Sequence, residues 1–222
     1  MTKNLGEQTV VIGAARSVSA WVYVLLTFGA LAAADLVLKW WSFETMGDTP
    51  VNIHAVLNNE ALLPSESVIL LPNVLGMKLT LNRGAVFGIM PGQRAFFLVA
   101  GAVALCVVSY FFVRSRANHR VLHLALALIL AGAIGNLHDR IVYAAVRDML
   151  WLFPNIKLPF GWSWPGGSDE LYPWIFNLAD VYLLAGIGLI MIRTMVVGDE
   201  QHPVPAPANE PTANKTANKQ RV

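Results

Sequence analysis

The run VLHLALALILAGAIGNLHDRIVY, Val121–Tyr143, holds no Asp, Glu, Lys or Arg until Asp139. A bilayer-crossing helix needs roughly 20 apolar residues, and water cannot satisfy a backbone buried in hydrocarbon, so this stretch reads as a spanning helix. Its polar residues are gathered at one end, in Gly135-Asn136-Leu137-His138-Asp139-Arg140. That asymmetry decides the reading of the whole chain: a helical membrane protein with its chemistry at one face of the membrane.

Working outward, three further apolar stretches are long enough to cross, Val18–Trp41, Ala95–Val113 and Trp174–Val197. The chain has 222 residues, 55% hydrophobic and 14% charged, and a mean hydropathy of +0.52. This composition excludes a disordered chain, and the single Cys106 excludes a disulfide scaffold. A net charge of +2 leaves no basic footprint for nucleic acid. The first stretch resembles a signal peptide in its small residues Ala30 to Ala34, but Glu7 precedes it and it continues to Trp40-Trp41. It is expected to be a retained helix with an interfacial Trp pair.

Basic residues set the expected orientation. Arg114, Arg116 and Arg120 lie between the second and third stretches, and Lys3, Arg16 and Arg193 flank the first and fourth. By the positive-inside rule these lie on the cytoplasmic side, with both termini. The expected division is a cytoplasmic N-terminus over 1–17, a four-helix transmembrane domain over 18–197, and a polar, Pro-rich, disordered cytoplasmic tail over 198–222. Outside lie a β element within 42–94 and an aromatic-rich connection over 146–173. In the β element, Met77, Leu79 and Leu81 alternate with Lys78, Thr80 and Asn82, the period of a half-buried strand. Asn82-Arg83-Gly84 reads as a turn into a second strand.

Ionisable residues in or beside spanning helices are costly and by default point to function. Asp35, Lys39, Asp139, Arg140, Asp148 and Asp180 all fall toward the outer face in this orientation. Asp35 and Lys39 are four apart on one helix face, which suits a structural ion pair. Asn177 and Asp180 lie three apart at a helix start, where a capping role is the plain alternative. The end of the third span and the start of the fourth can bring Asp148 and Asp180 together. Two close, partly desolvated carboxylates separate in titration, so one supplies an acid and the other a base. Such a pair can activate water against a peptide carbonyl without a covalent intermediate.

Other chemistries lack their motifs. There is no Gly-x-Ser-x-Gly, no His-Glu-x-x-His and no phosphate-cradling Gly loop. His119 and His123 share a helix face on the cytoplasmic side with no carboxylate near them in sequence, so no metal is expected. No cofactor is called for. Two other classes compete with a hydrolase: a small proton-coupled transporter using Asp35, Lys39, Asp139 and Asp180 as a relay, and an inactive membrane scaffold. The nearly pure Ala, Val, Leu and Ile of the inner half-spans argues against the transporter.

Taken in order, these residues resemble the bacterial lipoprotein signal peptidases, also called signal peptidase II or prolipoprotein signal peptidase. Asp35 and Lys39 look like the family's first-helix pair, and Asn82 to Gly88 like its Asn-x-Gly-x-x-Phe segment. Gly132, Gly135, Asn136, Asp139 and Arg140 are similar to the third-helix motif, and Phe176-Asn177-Leu178-Ala179-Asp180 to Phe-Asn-x-Ala-Asp. Arg147-Asp148-Met149 falls where the family has a Val-x-Asp-Phe-like segment.

The resemblance implies an aspartic endopeptidase of the bacterial inner membrane with Asp148 and Asp180 as its catalytic pair. Its substrates would be diacylglyceryl-modified prolipoproteins cut on the amino side of the lipidated cysteine, and globomycin would inhibit it. Asn136, Arg140 and Asn177 would orient the pair and hold the substrate backbone, beside Asn82 and Gly84, with Asp139 in support. Membrane lipid is the surrounding partner, and a monomer is expected because both aspartates lie in one chain. Two departures stand out: the basic Val146-Arg147-Asp148-Met149, and a long connection carrying Trp151, Phe153, Phe160, Trp162, Trp164, Tyr172 and Trp174, expected to form an enlarged lid.

Overall fold

The computed structural model describes residues 12–84 and 94–199. A 3-10 turn, Ala14–Arg16, leads into helix α1, Val18–Thr45, whose N-cap Ser17 accepts a hydrogen bond from the Ala20 amide. The short helix α2, Ile53–Leu57, follows, then strands β1, Ser67–Leu71, and β2, Leu75–Asn82. Helices α3, Arg94–Arg114, and α4, Arg120–Tyr143, come next. Ala144 then takes the left-handed conformation, φ 58°, which ends α4 and turns the chain into strand β3, Val146–Leu152. Strand β4, Ile175–Phe176, and helix α5, Leu178–Asp199, complete the order.

Among the described residues three helices are long and apolar enough to cross a membrane, α1, α4 and α5 over Leu178–Val196, and α3 is apolar over the shorter stretch Leu98–Arg114. Helix α4 is the central one, packed against α5, α1 and α3. Glycine makes that closeness possible. A Cβ on Gly132 would stand 2.3 Å from the Ala179 carbonyl oxygen and 2.7 Å from Leu183 Cγ, and one on Gly135 would stand 2.4 Å from Asp35 Oδ2. Small residues of this kind let helix backbones meet where lipid supplies no hydrophobic drive. Replacing Gly132 by Val therefore pries α5 from α4, with an expected loss of about 1–3 kcal/mol by overpacking. Thermal unfolding in detergent reads it, and an unchanged midpoint would contradict this packing.

The sheet is antiparallel in the order β1-β2-β3-β4. In β2, Met77 and Leu79 are buried and Lys78 is exposed, following the alternation read from the sequence. A register irregularity between Met77 and Thr80 then sets Thr80 opposite Asp148, Leu81 opposite Arg147 and Asn82 opposite Val146. Phe43, Met46, Ile53, Met77, Leu79, Met149 and Leu150 form one core, between helix α1 and the sheet. A second core gathers Ala20, Val24, Phe112, Leu122 and Leu126 toward the start of α1. Along α1, Asp35 and Lys39 fall between the two.

Four expected bounds need correction. The sheet is not confined to 42–94: half of its strands come from 146–176, because β3 pairs with the edge of β2 that β1 leaves open, and β4 pairs with β3. The connection over 146–173 opens as this strand, buried from Val146 to Trp151. The fourth helix begins at Leu178 rather than Trp174, since Ile175 and Phe176 pair with Trp151 and Leu150. Helix α5 also runs two residues into the segment assigned to the tail; residues 200–222, 1–11 and the expected second strand with Ala85 to Gly88 lie outside the described residues.

Candidate active site

The start of α5 organises the site. Asn177 Oδ1 accepts from the Asp180 amide at 3.1 Å, and Asp180 Oδ2 accepts from the Asn177 amide at 3.2 Å, a reciprocal capping box. The Ala179 amide donates to Asp35 Oδ1 from α1 at 2.9 Å. Helix amides without an intrahelical partner are thus answered by side chains. The capping role considered for Asp180 is realised with one of its oxygens. Its other oxygen, Oδ1, accepts from Asn136 Nδ2 of α4 at 2.8 Å.

Asn177 also reaches the other carboxylate, donating from Nδ2 to Asp148 Oδ1 at 2.6 Å and to Asn136 Oδ1 at 3.1 Å. One asparagine therefore holds Asp148 and Asp180 together. Their surroundings differ: Asp148 is only 2% exposed, whereas Asp180 is partly open. Burial, and then the charge of Asp180, push the Asp148 carboxyl up to about 7, against the opposing hydrogen bonds from Asn177 and Asn82. Asn82 also accepts from the Gly84 amide at 3.1 Å, closing the turn read at that point. Arg140 donates to the Asn136 carbonyl at 3.2 Å, and its charge faces those of Asp180 and Asp148.

Beneath this layer lies a wholly buried ionic one. Lys39 Nζ stands 2.8 Å from Asp35 Oδ2 and 3.6 Å from Asp139 Oδ2, and donates to Asn136 Oδ1 at 3.2 Å. The Asp35–Lys39 pair thus meets Asn136, which in turn holds Asp180. Asp139 is held chiefly by Arg147, whose backbone amide, Nε and Nη2 all donate to it, at 3.0, 3.2 and 2.8 Å. Arg147 Cζ also stands over the Tyr143 ring at 4.6 Å.

Arg147 is the residue that sequence reasoning met only as a departure from the family pattern. The available signal was an Arg, opposite in charge to Asp139, that with Asp148 interrupts an apolar run. It fastens the start of β3 to the end of α4, immediately before Asp148. Arg147→Met leaves Asp139 with Lys39 as its remaining buried cation, and truncating one partner of a buried pair costs roughly 3–5 kcal/mol. The expected result is a lowered unfolding midpoint in detergent; a midpoint equal to wild type would show the pair to be idle.

On the opposite end of α4, His123 Nε2 and Ser115 Oγ are 2.9 Å apart, while His119 Nδ1 lies 3.4 Å from Arg193 Nη2. A cation beside His119 is the wrong neighbour for a metal ligand. Cys106 is exposed on α3.

Fold and site together define a helical membrane protein that brings two carboxylates under one asparagine, where a helix bundle meets a small sheet. The chain belongs to the signal peptidase II family, a family of proteases acting on prolipoprotein signal peptides: the profile described as "Signal peptidase (SPase) II" matches residues 27–196. It is 28% identical over 173 residues to the lipoprotein signal peptidase of Desulfitobacterium hafniense, covering 78% of this chain and 93% of that one. Against that of Halalkalibacterium halodurans it is 35% identical over 136 residues, covering 61% and 77%. Among solved structures, a bacterial membrane enzyme determined by the in meso method at 2.3 Å superposes with a TM-score of 0.60 at 25% identity, covering 81% of this chain and 91% of that one.

Proposed function

We propose that this protein is an aspartic endopeptidase of the bacterial inner membrane that releases signal peptides from diacylglyceryl-modified prolipoproteins, cutting on the amino side of the lipidated cysteine. Asp148 and Asp180 are its catalytic pair. The observation that carries this reading is Asn177, which donates from its side chain to a buried carboxyl and from its backbone amide to a partly open one. Asp180, with the donors Asn136 and Asn177 on its oxygens, takes a proton from the attacking water. Asp148, protonated near neutrality, hydrogen-bonds the scissile carbonyl and later delivers its proton to the leaving nitrogen.

In this reading Arg140 and Asn82 hold the substrate backbone, and Gly84 keeps the turn beside Asn82 narrow. Helices α1, α3, α4 and α5 are the four spans, with both termini cytoplasmic and the carboxylates near the outer headgroups. A lipid-anchored peptide presents its scissile bond at that depth. One chain contains both aspartates, so a monomer suffices.

The test is cleavage by the purified protein in detergent or lipid, with products weighed by mass spectrometry. A cut immediately before the lipidated cysteine, absent when the diacylglyceryl group is omitted, is expected. Inertness toward several lipidated substrates would overturn the proposal and return the transporter and scaffold readings.

The same assay across pH carries a further expectation. Because Asp148 must be protonated to act as the acid, kcat/KM falls about tenfold per pH unit once the pH passes about 7. A profile flat from pH 6 to 9 would remove Asp148 from that role.

A further inference from the structure

We propose that the hairpin over 156–171, with Tyr172 at its base, is a fixed aromatic wall beside Asp180 that selects substrates by the bulk of an apolar side chain preceding the scissile bond. The proposal rests on the peptidase reading above and adds to it a determinant of specificity.

The connection is built, not loose. The Leu158 amide donates to the Asp169 carbonyl and the Leu171 amide to the Ile156 carbonyl, each at 2.7 Å, with Lys157 opposite Glu170 in an antiparallel bridge. Lys157 Nζ and Asp169 Oδ2, 2.6 Å apart, link the two arms. The tip closes through the Trp164 amide on the Ser168 carbonyl and the Gly167 amide on the Trp164 carbonyl, at 2.8 and 2.9 Å. Gly166 and Gly167 have φ of 107° and 88°, a conformation that favours glycine.

Aromatic contacts then tie this hairpin to the site. Trp164 Nε1 donates to the Glu170 carbonyl at 3.0 Å. The Trp164 ring meets Trp174 edge-on at 4.7 Å, Trp174 meets Tyr172 at 5.1 Å, and Tyr172 meets Phe176 at 6.2 Å. Phe176 directly precedes Asn177, the residue that holds both carboxylates. Tyr172 is near enough to Asp180 for that charge, after burial, to hold its hydroxyl above the ordinary tyrosine range. All four rings are only half-buried.

An extended peptide hydrogen-bonded to the two carboxylates passes Tyr172 and Trp174, whose half-buried rings offer apolar area and no charge. Rings fixed in a staple lose little conformational entropy on contact, which favours selection by fit. A purely architectural staple would use the same contacts, but would make all substrates rise or fall together.

Lipidated substrates varied one residue at a time over the three positions before the cysteine, small against bulky apolar, separate these cases. With Tyr172→Ala, kcat/KM for the bulky side chain at one of these positions is expected to drop about tenfold through KM, with small side chains within about twofold. Tyr172→Phe keeps the ring and restores the preference. Trp164→Ala, which undercuts Trp174 without touching Asp180, shifts the same preference in the same direction. If wild type cuts the panel but Tyr172→Ala changes every substrate equally, or none, the wall is refuted and the peptidase reading stands. If wild type cuts no member, both fall.

Discussion

Asp148→Asn is expected to lower kcat for signal-peptide release by about 10³-fold or more, while the protein stays folded and becomes more stable at alkaline pH. In the proposed mechanism the loss follows from removing the general acid, which contributes on the order of 10²–10⁴-fold, at a carboxyl that an amide replaces in shape but not in proton transfer. The stability change has the opposite sign. A carboxyl raised to about 7 in the folded protein holds its proton more tightly than the unfolded chain does. Between the unfolded value near 4 and about 7 the native state binds more protons, so stability falls as pH rises through this window and levels off above it. Asparagine carries no such burden, so the variant loses that part of the pH dependence and gains most above pH 7.

Circular dichroism melts in detergent at pH 5 and 8, beside the cleavage assay, check both halves. Asp180→Asn is expected to abolish cleavage as well. The companion variant Asp139→Asn decides the pairing. Asp139 turns toward Arg147 and Lys39, so its loss should act on stability more than on the chemical step. Full activity in Asp148→Asn with none in Asp139→Asn would reassign the acid to α4.

How far the residues alone disclosed this arrangement depends on the kind of signal. Val121–Tyr143 was legible because hydrocarbon permits few backbones, and the polar end of that helix foretold where chemistry gathers. The capping box was legible too, since Asn177-Leu178-Ala179-Asp180 places an acceptor and a carboxylate three apart. Read strictly, it puts the helix start at Leu178 and excludes Trp174 from α5. The uninterrupted apolar run hid that boundary, because a continuous run has no period with which to separate strand from helix. Strand β3 was hidden for another reason. Arg147 and Asp148 interrupt its apolar run, and their tolerance there depends on Asp139, across the chain reversal at the end of α4, and on Asn177, which is distant in sequence. Pairing of β2 with β3 across α3 and α4 leaves no local mark at all.

The second large effect is expected at Lys39. Asp35, Lys39, Asp139 and Arg147 are all buried and form a connected set of two carboxylates and two cations. Lys39→Met removes one cation and leaves Asp35 without its partner, so the charge must be neutralised or buried alone. The expected cost is roughly 3–5 kcal/mol, the usual penalty for breaking a buried pair from one side. Asp139 suffers less, because three donors from Arg147 remain on it. The loss should therefore reside mainly in Asp35, and the double variant Asp35→Asn/Lys39→Met tests this. An asparagine in place of Asp35 keeps an oxygen for the Ala179 amide that Asp35 now caps, and adds no charge. Unfolding in detergent should place the double variant above Lys39→Met alone, a coupling that a double-mutant cycle isolates. Activity should not recover with it: Lys39 also donates to Asn136 Oδ1, and Asn136 in turn orients Asp180. Recovery of stability without recovery of cleavage would separate the charge balance of the bundle from the alignment of the carboxylates, and recovery of neither would place the cost of Lys39→Met in lost packing rather than in the unpaired charge.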